Sequence, residues 1–502
     1  MALLITNGTV LRPDFETGPA DILIEGDRIV TVGRPAVEDC QRLDATGFLI
    51  VPGLVNAHTH AHNNLVRGRA ENWTLEDLLN HGPAMNSGRL AEDQYLSALL
   101  GAIEMARTGC TAAYDLVMAA PAPDEAMLEA VVQAYREVGL RVTVAPAVAD
   151  RAFYEIVPGL AEALPDELAS ALAGQRPASA GRLLALTEAA LKRWHASDGG
   201  RIRIAVAPTI PHQCSDEFLR ASARLADEYQ TGFHTHLAES KIQQVAGLQR
   251  YETTLAGHLL DIGVLGPRFV GAHAVWLTDE DIRLLADHGA AIAHNPASNL
   301  RLGNGIAPVR ELLEAGVAVG LGTDGAACSD NLDLFEAMRI GGLVSAIRFP
   351  QDPARWLSAR ELLALATTGS ARVLGLQDEL GTIEPGKKAD LALVRLDSTF
   401  LKPLNSVRNQ LTYAENGAAV DTVLVDGRVI VRGGRVLGVD EARVRERAQA
   451  AAEALQARNQ PLWDLAERVA PVLGQVCRDL ARTPFPVYRW AGREEAGTSH
   501  LP

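Results

Sequence analysis

From residue 53 to about 379 the chain repeats one rhythm. A short run of β-branched or apolar residues is followed by a longer Ala/Leu/Glu-rich stretch of helical character. Eight runs read as strands: "LVNAHTH", "TAAYDLV", "RVTVAPA", "IRIAVAPT", "GFHTHLA", "RFVGAHA", "AAIAHN" and "VAVGLGTD". Stretches such as "EDQYLSALLGAIEMARTG" and "TDEDIRLLADHG" supply the helices between them. Eight alternating β and α units predict a parallel (β/α)8 TIM barrel over 53–379.

The two ends follow a different pattern. "LLITNGTVL", "ADILIEGDRIVTVG" and "RLDATGFLIVPG" read as short strands joined by turns, and the texture returns in "GTIEPGKKADLALVRLD" and "AAVDTVLVDGRVIVRGGRVLG". "VDGRVI" echoes "EGDRIV" across some 400 residues, which predicts one small β-sandwich assembled from 1–52 and 380–438. Residues 439–502 form a helical extension with a Pro/Gly-rich tail, able to pack on the body or on a second subunit. An insertion over about 150–200, containing "LAGQRPASAG", reads either as a lid at the barrel mouth or as a plain helical surface feature.

Polar residues gather at the C-terminal ends of the eight runs: His58, His60, Asp115, Thr209, His236, His273, His294 and Asp324. In a barrel those ends form the mouth where chemistry is done. His58 and His60 alternate on a strand and so share a face, a spacing that suits a transition metal. The first, fifth and eighth strands all aim at one central point, so His58, His60, His236 and Asp324 can reach one ion, with His273 and Glu239 beside it. Three imidazoles and a carboxylate suit zinc, or iron as the second choice, and would bind calcium or magnesium poorly. An ion with an open position activates water as a hydrolytic nucleophile.

Composition narrows the setting. The 502 residues are 47% hydrophobic and carry a net charge of −15, with no concentrated basic stripe, which argues against nucleic acid as a partner. No apolar run reaches membrane-spanning length, and the start "MALLITNGTV" carries no signal-peptide pattern. Five cysteines without a CxxC pair favour a reducing, cytoplasmic setting.

Together "VPGLVNAHTH", "HTHLAES", "GAHAVWLTDEDI", "HNPASNLRLGNGIAPV" and "GLGTDGAACSDNLDLFEAMR" resemble the metal-dependent amidohydrolase superfamily. Within it they look most like the nucleoside deaminase and triazine hydrolase branch, which includes S-adenosylhomocysteine deaminases and atrazine chlorohydrolase. With the returning strand "GTIEPGKKADLALVRLD", the resemblance covers the chain to about residue 440. It implies one divalent metal on His58, His60, His236 and Asp324, and Glu239 as a proton shuttle to the ring nitrogen or leaving group. It also implies that His273 orients the water and the group under attack, and that Asp324 accepts the water's proton. A homo-oligomer, a dimer or larger, is common in this branch.

The resemblance implies a hydrolase of carbon–nitrogen bonds that expels ammonia from an amino-bearing sp2 carbon of a nitrogen heterocycle or cyclic amidine. The candidate substrate contacts are His62, Asn63, Met85, Thr209, His212 and Asn299. Three departures keep other substrates open. Met85 stands where the nucleoside deaminases are expected to carry a ribose-binding glutamate, and Thr209 stands where they tend to carry a histidine, with His212 displaced. His62, Asn63 and Asn64 follow the metal pair in place of the branch's usual residues. The alternatives are a triazine, urea or amide hydrolase expelling chloride or an amine and, more remotely, a non-catalytic barrel. Among the other histidines, His234 is expected as a packed core residue and His294 as a loop holder. His81, His195, His258, His288 and His500 are expected at the surface.

Overall fold

The computed structural model describes residues 2–490. Strands from both ends of the chain, Ala2–Leu11 to Phe48–Pro52 and Leu391–Arg395 to Arg435–Val436, join in one nine-stranded sheet. The seam is the antiparallel pair Phe48–Pro52 and Leu391–Arg395, in register from Arg395 opposite Phe48 to Leu391 opposite Pro52. Alternate positions supply its core: Ile5, Ile22, Ile24, Ile50, Leu391, Leu393 and Leu424. The two echoing turns meet there, since a Cβ on Gly427 (φ +71°) would lie 2.8 Å from the Gly26 carbonyl oxygen. The two-sheet sandwich expected from the sequence is not confirmed, since all nine strands belong to one hydrogen-bonded sheet. Ala2–Leu11 pairs with Gln41–Asp44 along one half and with Phe48–Pro52 along the other, so the sheet passes through this strand without a break.

All eight predicted runs of the middle region are strands, and all are parallel. One group places Asp324–Gly325, Leu54–His60, Cys110–Val117 and Arg141–Val148 side by side, with Ile202–Ile204 and Ala207–Pro208 both on the last. The other runs Phe233–Leu237, Phe269–His273, Ala291–His294 and Ala318–Leu321. The groups meet at a bridge between Val206 and Phe233, and at the far side Thr323 N–H donates to His58 O and Gly322 N–H to His294 O. Most of these strands are buried along their whole length, as expected where helices cover both faces.

The insertion carries the helices Asp166–Leu172 and Ala180–Trp194. Beyond the terminal sheet a 41-residue helix, Glu441–Ala481, crosses the molecule. Its Val469 and Leu473 pack with Phe153, Leu160 and Leu168 of the insertion, and its Ala448 and Leu455 with Leu65, Val66 and Met85. The extension therefore packs on the body and ties the insertion to the elements bearing the mouth. Among the described residues no helix is long and apolar enough to cross a membrane.

Candidate metal centre and active site

Strand alternation sends His58 and His60 to the same side of Leu54–His60, at its C-terminal end. His236 comes from the end of Phe233–Leu237, His273 closes Phe269–His273, and Asp324 starts the short Asp324–Gly325 strand. All five side chains are buried. Nε2 of His60 lies 3.1 Å from Nε2 of His236 and 3.4 Å from Asp324 Oδ1. Nε2 of His58 is 3.5 Å from the same oxygen, and Nε2 of His273 is 3.7 Å from Asp324 Oδ2.

The outer ring nitrogens decide what these atoms are. Nδ1 of His60 donates to Leu116 O at 2.8 Å and Nδ1 of His236 donates to Thr209 O at 2.6 Å. A neutral imidazole carries one proton, so both Nε2 atoms present lone pairs to each other. Two facing lone pairs repel unless a cation lies between them. Donors each about 2.0–2.1 Å from one tetrahedral ion sit roughly 3.3–3.4 Å apart, which matches the spacings here. Several triads of ligand atoms, among them His58–His60–Asp324 and His58–His236–His273, lie within 4.8 Å of one another. The cluster is suited to a single metal ion.

Electrostatics agree. Burial pushes His58 down to about 3 and holds His236 well below its ordinary range, so both imidazoles are neutral, the form in which they could hold a metal. Burial alone would raise the Asp324 carboxyl, but the His58 hydrogen bond and the neighbouring imidazoles outweigh it and hold Asp324 well below its ordinary range. Glu239 moves the other way. Burial, with the Asp324 and Glu76 carboxylates nearby, raises it well above the ordinary range, which favours its protonated form. Two carboxyls in one site are thus driven apart in acidity.

The backbone at the site is unusual. Asp324 (φ +60°), His273 (φ +69°) and Ala274 (φ +50°) all adopt left-handed conformations without being glycine. Asp324 is held there partly by its own carboxylate, whose Oδ1 accepts from Gly325 N–H at 2.9 Å. His273 is oriented by Asn299, whose Oδ1 accepts from Nδ1 at 2.9 Å.

His60, His236, His273, Asp324 and Glu239 line a chamber of about 90 Å³. Of the residues expected at the substrate, His62, Asn63, Met85 and Thr209 are in its wall. His212 and Asn299 are not. Asn299 is turned to His273, and His212 is buried behind the wall, its imidazole pushed down to about 3. Apolar residues that sequence reasoning missed complete the chamber: Leu75, Leu78, Leu79, Met118, Ile210 and Cys328. An outer cavity of about 370 Å³ shares Leu79, Gly82, Asn86, Met118 and Thr209 with it and reaches Phe153, Tyr154 and Arg176 of the insertion. The insertion therefore borders the approach to the chamber.

His234 is packed against the Tyr114 ring and bonded to Nδ1 of His58 at 3.1 Å. Two histidines expected at the surface are buried. His81 stacks on Trp73 and is bonded to Asp77 O, while His258 stacks on Tyr251 and meets Asp216 at 3.0 Å. In each case an aromatic neighbour covers one ring face while a polar atom satisfies a nitrogen. His195 and His288 are half-buried, each bonded to a backbone carbonyl, and His500 lies outside the described residues.

Fold and site together define a class. The sequence profile of the Amidohydrolase family matches residues 49–430, and the chain belongs to that family. It is 36% identical over 438 residues to the 5'-deoxyadenosine deaminase of Methanothermobacter thermautotrophicus, covering 86% of this chain and 94% of that one. It is 34% identical over 471 residues to the 5-methylthioadenosine/S-adenosylhomocysteine deaminase of Desulforudis audaxviator, covering 91% and 99%. The crystal structure of atrazine chlorohydrolase from Arthrobacter aurescens TC1, complexed with zinc, superposes with a TM-score of 0.80 at 29% identity, over 90% of this chain and all of that one.

Proposed function

We propose that the protein is a zinc-dependent deaminase of an adenosine-type nucleoside or a related amino-bearing nitrogen heterocycle. In this reading the two parallel strand groups are halves of one eight-stranded barrel spanning 53–379. Residues 1–52 with 380–438, and then 439–502, are separate additions to it. The observation that carries the reading is the pair of facing Nε2 lone pairs of His60 and His236, 3.1 Å apart with both tautomers fixed from behind. The identity to nucleoside deaminases supports the substrate class.

His58, His60, His236 and Asp324 hold the ion. Once bound, it supplies Lewis acidity that brings the pKa of water towards about 7. Asp324 accepts the proton of the attacking water. His273 has its Nδ1–H committed to Asn299, so its Nε2 faces Asp324 as an acceptor that orients the water. Glu239, 3.6 Å from His273, gives its proton to the departing nitrogen. The leucines and methionines of the chamber exclude bulk water, which strengthens each of these interactions. The five free cysteines fit the cytoplasm. The exposed Leu343 and Ile347, one turn apart on the helix Leu334–Arg348, are the natural contact of a homo-oligomer.

A second reading, expulsion of chloride or an amine from a triazine, is favoured by one feature. Among the described residues no carboxylate but Glu239 and Asp324 lines the chamber, and Met85 occupies the wall where a ribose-binding acid was expected. Elemental analysis of the purified protein, followed by product assays with 5'-deoxyadenosine, 5-methylthioadenosine, S-adenosylhomocysteine and atrazine, separates the two. Ammonia release with about one zinc per chain supports the deaminase, and chloride release from atrazine alone supports the second reading. Glu239→Gln should keep the metal and lose turnover by about 10²–10⁴-fold. An active variant refutes the role of Glu239.

A further inference from the structure

Glu239 must be held as well as protonated, and the residue that holds it stands 65 positions further along the chain. Asn304 Nδ2 donates to Glu239 Oε1 at 3.0 Å, with both side chains buried. Because Oε1 accepts this N–H, a proton on Glu239 sits on Oε2. The contact therefore fixes which oxygen carries the proton and stops the carboxyl rotating. Asn304 is itself fixed on both sides, since its N–H donates to Asn299 O at 2.8 Å and its O accepts from Trp276 Nε1 at 2.7 Å. One short stretch, the helical turn Pro296–Arg301 and the loop that follows it, thus controls both His273, through Asn299, and Glu239, through Asn304.

The stretch that follows the long helix clamps this loop from outside. Ile306 N–H donates to Arg489 O at 2.8 Å, and Trp490 Nε1 donates to Gly303 O at 2.9 Å. Gly305 (φ +120°) allows the close approach, because a Cβ there would sit 2.7 Å from Arg489 O. Buried Arg489 also donates to Leu277 O, and Trp490 packs edge-on to Trp276 with centroids 4.7 Å apart. The two flanks of Asn304 and the indole it bonds are therefore all held by residues 485–490.

We propose that Asn304 is the positioning residue for Glu239, and that the Phe485–Trp490 stretch belongs to the active site because it clamps the loop carrying Asn304. The inference rests on the proton-shuttle reading of Glu239. It assigns a catalytic consequence to a stretch more than 150 residues from any candidate ligand in sequence.

The test compares Asn304→Ala, Asn304→Asp, Trp490→Ala and Glu239→Gln in the full chain. Each is assayed by steady-state ammonia release from the compound the parent enzyme turns over, by metal content and by thermal midpoint. Asn304→Asp keeps the shape and removes the donor. Both Asn304 variants should lose kcat by roughly 10²-fold, as for a misplaced catalytic group, with KM within about threefold and metal retained. Trp490→Ala should lower kcat in the same direction by a smaller factor. The proposal is overturned if Asn304→Asp keeps parental kcat, or if the variants lose metal and thermal stability in proportion to activity. Should Asn304→Ala fail to fold, Asn304→Asp and Trp490→Ala decide the matter. An active Glu239→Gln defeats the shuttle reading itself, whereas an inactive Glu239→Gln beside active Asn304 variants defeats this inference alone.

Discussion

Gly325→Ala is a one-carbon perturbation aimed at the metal centre. Gly325 pairs with His60 across parallel strands, one residue after Asp324. A Cβ built there lies 2.6 Å from Asn63 Nδ2 and 2.8 Å from His60 Cβ. The amide end of Asn63 can swing away, but His60 Cβ is anchored to the main chain of a buried strand. Reaching an ordinary carbon–carbon contact of about 3.5 Å requires His60 to retreat by about 0.7 Å. That shift has nowhere to go without loss, since His60 Nδ1 is bonded to Leu116 O and its Nε2 faces His236 and Asp324.

Overpacking of this kind costs about 1–3 kcal/mol. A catalytic constellation tolerates about 0.5 Å of error, and a 1 Å misplacement costs on the order of 10²-fold in rate. Gly325→Ala should therefore fold, bind zinc more weakly in competition with a chelator, and lose kcat by about 10–100-fold. Gly181→Ala is the control, at a helical position with nothing within 4 Å of the added carbon, and should match the parent in both assays. Full zinc affinity with kcat within twofold of the parent would show that His60 is not held where the chemistry needs it, and the single-ion reading would go with it.

Two further perturbations probe the surroundings. His234→Leu removes the partner of His58 Nδ1 and should weaken zinc binding by about 10–100-fold, measured by chelator competition; unchanged affinity would mean that His58 needs no orientation from behind. Asp333 caps the helix Leu334–Arg348, accepting from Phe335 N–H at 2.8 Å, and burial raises its carboxyl from the ordinary 3.8 to about 6. A raised folded-state value favours folding fully below about pH 4 and loses that benefit as pH climbs through 6, by up to about 3 kcal/mol. Asp333→Asn keeps the cap without the charge, so its stability advantage over the parent in urea unfolding should grow from pH 4 to pH 7. A constant difference across that range would rule out the buried-carboxyl account.

The candidate ligand residues are legible in the sequence because a strand converts spacing directly into direction. His58 and His60 alternate, and a histidine or aspartate at or just past the C-terminal end of a parallel strand is delivered to the mouth. The same logic supplies all eight strands. It fails where direction depends on a loop or on packing between distant segments. Asn299 sits in a recognisable stretch, but whether it turns to substrate or to His273 depends on the helical turn Pro296–Arg301 that follows Ala291–His294. His81 sits at the turn between two short helices and His258 within one, and their burial is set by Trp73 and Tyr251, residues that no local period connects to them.

The terminal segments show the same division. Their strands and hairpin turns are visible as alternation, whereas their union into a single nine-stranded sheet depends on Ala2–Leu11 pairing with a different partner along each half. The long helix announces itself by composition, but its route across the mouth is set by where Val469 and Leu473 find the insertion and where Leu455 finds Met85. Of the two candidate reacting groups aimed from outside, His273 closes a strand and Glu239 follows one, and the groups that aim them, Asn299 on the helical turn Pro296–Arg301 and Asn304 just beyond it, lie outside the strands. A relative could therefore keep every ligand while changing rate and specificity through residues whose purpose only the folded chain displays.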